Sequence, residues 1–172
     1  MAVEQDIYIS DEFKQIVERT SAALQTKLGK SIKFFFGEDE HVIDMMMAMT
    51  RANADKYPMV ALVLPVDIEH PHDGGYYGTA ILPRIVIATV TDDRLPPAQR
   101  LENYIKPVIM PVKNELLKQI SKQSTFAVMS PDHIECTERI RYGTQAAAQG
   151  FKEYIDGMEL LDMKLTLNKK CL

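Results

Sequence analysis

The chain has 172 residues, 46% of them hydrophobic and 26% charged, which suits one domain with a sizeable core and excludes a disordered or fibrous protein. Its net charge of −4 provides none of the broad basic surface that duplex binding requires, although local basic patches stay open. The two cysteines, Cys136 and Cys171, lack CxxC spacing and read as free thiols of a reducing cytosol.

Residues 1–10 carry no basic stretch followed by an apolar run, so no signal peptide is expected. The longest apolar stretches, near 58–66 and 85–90, are too short to span a bilayer. The first predicted helix covers 10–28. Ser10 is a good N-cap, Asp11 and Glu12 suit the positive end of the helix dipole, and Phe13, Ile16, Val17, Thr20, Leu24 and Leu28 form one stripe. Gly29 is placed to end it in a left-handed cap. A strand rich in aromatics follows over 31–36, bounded by Gly37.

Over 40–53, Val42, Met45, Met46 and Met49 recur at helical spacing. A run of methionines is the adaptable surface of a promiscuous binder in some proteins, and the plainer reading is a short core-packed helix with Met47 on its flank. Asn53-Ala54-Asp55-Lys56 breaks it. The continuous apolar run 59–64 predicts a strand covered on both faces, ended by Pro65. Residues 66–79 then form a long loop or an extended hairpin, marked by one proline and three glycines, leading to a β-branched strand over 80–91.

Asp92-Asp93-Arg94-Leu95-Pro96-Pro97 cannot continue a ladder. From 98 to about 122 the pattern is helical, with Ile105, Val108, Val112, Leu116 and Ile120 on one stripe and Lys113, Glu115 and Lys118 directed elsewhere. Pro107 and Pro111 each remove a backbone donor, so each belongs in a first turn or at a kink, dividing the helix into a short lead-in and a straight rod. Short extended segments follow at 124–128 and 134–142, then a small-residue connection over 143–150. The alternation of Ile155, Gly157, Glu159, Leu161, Met163, Leu165 and Leu167 predicts a closing strand. Lys169 and Lys170 make a short basic tail. No internal repeat and no linker divides the chain, so residues 1–172 read as a single α/β (α+β) domain. Its expected architecture is a mixed or mainly antiparallel sheet with two main helices, 10–28 and 98–122, packed on it.

Catalytic patterns are missing. The chain has no G-x-S-x-G, no P-loop and no G-x-G-x-x-G after a strand, and Glu38, Asp39, Glu40, Asp92 and Asp93 fall at turns, where carboxylates are solvated. His70, His72 and Asp73 are the one cluster with metal-ligand character. An H-x-H-D run places two imidazoles on one side of an extended loop, but a zinc site wants three protein ligands, and His41 and His133 are distant in sequence. A solvated loop is the simpler reading, so no metal and no enzymatic activity are expected.

Four stretches carry a resemblance. They are Lys56-Tyr57-Pro58-Met59-Val60-Ala61-Leu62; Ile85-Val86-Ile87-Ala88-Thr89-Val90-Thr91 with Arg100 following; Ile105-Lys106-Pro107-Val108-Ile109-Met110-Pro111-Val112; and Tyr154-Ile155-Asp156-Gly157-Met158-Glu159-Leu160 with Lys164-Leu165. Together with the order of elements they resemble small head–tail joining proteins of long-tailed bacteriophages, in particular those of phages of Bacteroidetes hosts. In topology the chain looks most like the tail terminator, or tail completion, proteins. That resemblance implies a structural virion protein of the neck, assembled in the host cytoplasm, with no cofactor. It implies a homohexameric ring that ends the tail tube, touches the tube protein and the head–tail connector or stopper, and lets DNA pass without reading it. It fits a head–tail stopper or adaptor as well. A host-encoded binding module, or a small metal-binding protein or enzyme using loop 70–73, remain the readings from other classes.

The loop 66–79, whose His-Pro-His-Asp content departs from that family, is expected to be an interface element. Its glycines make it costly to order alone, and Tyr76 and Tyr77 combine apolar area with polar tips. With His70, His72 and Asp73 they are the candidate interface residues, set to meet a neighbouring subunit's helix 98–122 or the tail tube.

Overall fold

The computed structural model describes residues 9–51, 55–69, 78–92, 94–126, 134–144 and 154–168. Helix α1 spans Ile9–Leu28 and buries Phe13, Ile16, Val17, Thr20 and Ser21 along its inner face, with Leu24 and Leu28 at the rim. Two polar residues are tolerated inside because both are bonded. The Thr20 hydroxyl donates to the Ile16 carbonyl at 2.8 Å, and Ser21 Oγ accepts the Ile32 N–H at 2.9 Å, which ties the helix to the strand that follows. Gly29 closes the helix with φ +66°, as its position predicts.

Strand β1 (Lys33–Gly37) lies parallel to β2 (Met59–Val63), and α2 (Asp39–Arg51) crosses between them. All of β2 is buried, because β1 and β4 flank it and both faces are covered. After it come β3 (Asp67–Glu69) and β4 (Thr79–Thr91), antiparallel to each other. The 66–79 stretch thus begins as a hairpin, with Glu69 opposite Thr79 at the last described pair. Asp92 stops β4 by accepting both the backbone N–H and the guanidinium of Arg94, contacts that hold its carboxyl below the usual carboxylate range.

Next in the chain are α3 (Pro97–Arg100), a π-helix (Leu101–Ile109) and α4 (Met110–Ser121). The expected two-part helix therefore has three parts. Pro111 sits in the first turn of α4, which continues from the π-helix, and Pro107 lies inside the π-helix itself. In an α-helix the Pro107 ring would clash with the carbonyl of Asn103. A wider turn relieves that clash, and the Met110 N–H accordingly reaches back five residues to the Ile105 carbonyl. Ile105, Ile109, Val112, Leu116 and Ile120 are the fully buried positions, so Ile109 takes the place the spacing assigned to Val108, which is half-buried. Lys113 lies off the stripe as expected, but its side chain is only 12% exposed and reaches Glu138 of the next strand at 2.8 Å.

Strands β5 (Glu135–Thr144) and β6 (Tyr154–Thr166) complete a six-stranded sheet of order β1-β2-β4-β6-β5, with β3 also on β4. The helices α1 and α4 and the π-helix cover one face over the main core, which includes Val60, Leu62, Ile85, Ile87, Met158 and Leu160. The other face holds a smaller core of Phe35, Tyr57, Met59, Ala61, Ala88 and Ile155 under Val42 of α2. Met45 packs at its edge, which supports the core-packed reading of this helix; the side chains of Met46, Met47 and Met49 are outside the described set.

The predicted closing strand is β6, and it lies inside the sheet between β4 and β5. Its alternation changes phase. Met158 and Leu160 face the main core, then Met163, Leu165 and Leu167 do, because Asp162 adopts φ 54° in a bulge opposite the Glu135–Thr137 stretch of β5. Strand β4 changes face in step, from Ala80 and Leu82 to Ile85 and Ile87. Pro83 sits at that change, in the gap between the β3 and β2 pairings, where a missing donor costs least. Gly157 is required by close approach: a Cβ there would lie 3.0 Å from the Ile87 carbonyl oxygen. The predicted strand at 124–128 is reduced to a bridge, Phe126 to Leu167, in the part described.

Candidate functional site

The five candidate interface residues, His70, His72, Asp73, Tyr76 and Tyr77, lie outside the described residues, as do His133 and Cys171. Their anchoring strands do not. β3 and the start of β4 form the base of the hairpin, and Asp67, Ile68 and Glu69 are all exposed. Helix 98–122, the other half of the expected contact, is embedded in the main core through Ile105, Ile109, Val112, Leu116 and Ile120, leaving Glu102, Asn103, Lys106 and Pro107 facing out.

At the opposite edge, β5 pairs with β6 alone among the described residues, and Thr137, Glu138, Arg139 and Ile140 are exposed. The Lys113–Glu138 ion pair fastens this strand to α4. Cys136 is half-buried beside it. Burial pushes its thiol up, and the Glu138 carboxylate adds to that against the opposing pull of Lys113, so the thiol stays protonated at neutral pH and is a poor nucleophile.

The strongest polar feature is internal. Arg100, at the end of α3, donates to Asp156 of β6 at 3.1 Å, with side chains 7% and 0% exposed. The guanidinium also lies 5.1 Å from the Tyr154 ring centroid. Nearby in the ladder Thr89 is opposite Asp156, and Thr91 is opposite Tyr154. On the opposite face, Arg84 pairs with Asp39 at the start of α2 and lies 3.8 Å from Glu159, which is nearly buried. These charges are held by opposite charges within the fold, so their chemistry is that of clamps joining helix to strand. Sequence reading missed the Arg100–Asp156 pair. The two residues are 56 positions apart, and the one local signal is a charged residue at the alternating positions of Met158 and Leu160.

Among the described residues, no grouping of three or more His, Cys, Asp and Glu could hold a metal ion. No helix among them is long and apolar enough to cross a membrane. Compared with known families and with curated proteins, the chain matches no family model and no curated protein.

Proposed function

We propose that this chain is a structural subunit of a phage neck, a tail terminator that assembles with copies of itself into a ring at the end of the tail tube and performs no chemistry. The observation that carries the reading is how the resembling stretches sit in the fold. Lys56–Leu62, 85–91 and 154–160 supply or border three adjacent strands, and 105–112 belongs to the helix laid over two of them. Arg100 reaches from that helical segment to Asp156 of the third strand. The resemblance therefore covers one packed unit rather than scattered surface. A mainly antiparallel sheet with two main helices on one face is also the architecture it implies. Among the described residues, β3 pairs with β4 alone and β5 with β6 alone, and their exposed residues supply surface for self-assembly.

The test is sedimentation and negative-stain imaging of the purified chain, alone and with the tail-tube protein encoded near it. Rings, or capped tubes, are the expected result. A chain that stays monomeric at every concentration and leaves tubes uncapped overturns the reading. So does a stoichiometric transition metal that is lost in a His70→Ala/His72→Ala double variant.

A further inference from the structure

Three large hydrophobic side chains are exposed among the described residues: Ile68 on β3, Ile140 on β5 and Val90 on β4, each 41% accessible. The first two lie at the centres of exposed edge segments on opposite sides of the sheet. Their flanks are oppositely charged. Ile68 stands between Asp67 and Glu69, whereas Ile140 stands between Arg139 and Arg141.

The register makes these segments complementary face by face. Ile68 is opposite Ala80, and Ile140 is opposite Met158; both partners point into the main core, so both isoleucines belong to the helix-covered face. The flanking Asp67, Glu69 and Arg139 alternate to the other face. Direction agrees as well. β4 is antiparallel to β3 and to β6, and β6 is antiparallel to β5, so β5 runs opposite to β3. A second copy added in the same orientation beside β5 therefore presents its β3 antiparallel.

We propose that β5 of one copy pairs with β3 of a second copy, placing Ile140 on Ile68 and Arg139 on Glu69. Pairing of like edges is disfavoured by the same charges. In a two-fold antiparallel pair a central residue faces its own copy, so β5 on β5 sets Glu138 against Glu138, Arg139 against Arg139, or Arg139 against Arg141. β3 on β3, centred on Ile68, sets Asp67 against Glu69. The favoured contact joins two different edges, and a contact of that kind propagates from copy to copy and closes into a ring when its rotation allows. The strand pair sets register and specificity; adjoining surface completes the roughly 800 Å² per partner of a stable interface. The proposal rests on the reading that copies of this chain assemble, and it names the edges that join them.

The experiment uses the full chain with Cys136 and Cys171 replaced by serine. Ile68→Cys protein and Ile140→Cys protein are oxidised separately and as a mixture. Residues directly opposite in an antiparallel pair are within disulfide reach, so cross-linked dimers are expected in the mixture and in neither protein alone. Independently, in the unmodified background, Arg139→Glu is expected to raise the concentration needed for assembly about tenfold, with Glu69→Arg in the same chain restoring it. Circular dichroism confirms that these exposed substitutions leave the fold intact. Cross-linking of the Ile140→Cys protein with itself overturns the proposal in favour of a two-fold dimer. Oligomers that form without the mixed cross-link and ignore the charge swap overturn it while leaving the ring reading standing on another interface. A monomer with no cross-link at any concentration overturns both.

Discussion

Asp156 is fully buried in β6, and the desolvation of its carboxylate is offset by Arg100 at 3.1 Å. Removing one partner of such a pair leaves the other buried charge without it, whereas replacing both with apolar residues removes both charges. Asp156→Ala is therefore expected to cost about 3–5 kcal/mol in urea unfolding, and Arg100→Met with Asp156→Leu to recover much of that loss. A cost for Asp156→Ala below about 1 kcal/mol would mean that the clamp contributes little to stability. The same logic separates the lysines of α4. Lys118 is 54% exposed, so Lys118→Ala should change stability by no more than about 0.5 kcal/mol. Lys113 is shielded and holds Glu138, and Lys113→Ala should cost more, with its effect shrinking in a Glu138→Gln background.

Among the elements, the π-helix is where the backbone departs from the regular α-helix. Pro107 lies inside it and cannot supply a backbone donor, while Ile109 joins Ile105 and Val112 in the core at ordinary helical spacing. Pro107→Ala is expected to let 101–109 relax toward an α-helix, with Ile105 and Ile109 staying in the core. A crystal structure of the variant checks it. A π-helix that persists without the proline would assign its origin to packing against β4 and β6. The rod beyond it is simpler. Leu116 is fully buried in the main core, and Leu116→Ala should cost roughly 2–5 kcal/mol by leaving a cavity. Chemical denaturation beside Lys118→Ala is the comparison, and equally small losses would contradict burial of this stripe.

For the molecule as a whole, charge limits what it can hold. With a net charge of −4, tight duplex binding at physiological salt is not expected, even where DNA threads an assembled ring. Few phosphates would be neutralised, and DNA would slide without sticking. A fluorescence anisotropy titration decides this: sub-micromolar binding that weakens steeply with salt would contradict it.

Periodicity and punctuation alone were enough for α1, for the buried strand β2, for the long strand β4 and for the α+β class, because each rests on local spacing or on one capping residue such as Gly29. The resemblance to a phage neck protein also came from the sequence, and it remains a proposal. Tertiary structure decided what depends on two distant segments at once. The position of β6 inside the sheet follows from pairing with β4 and β5, and its change of phase follows from an extra residue at Asp162 that alternation cannot reveal. The pairing of Arg100 with Asp156 follows from two elements meeting in space. The acidic residues beside Ile68 and Arg139 beside Ile140 are plain in the sequence, but only the sheet places them on matching faces of two strands on its opposite sides. That correspondence depends on strand order and register, which local spacing does not specify.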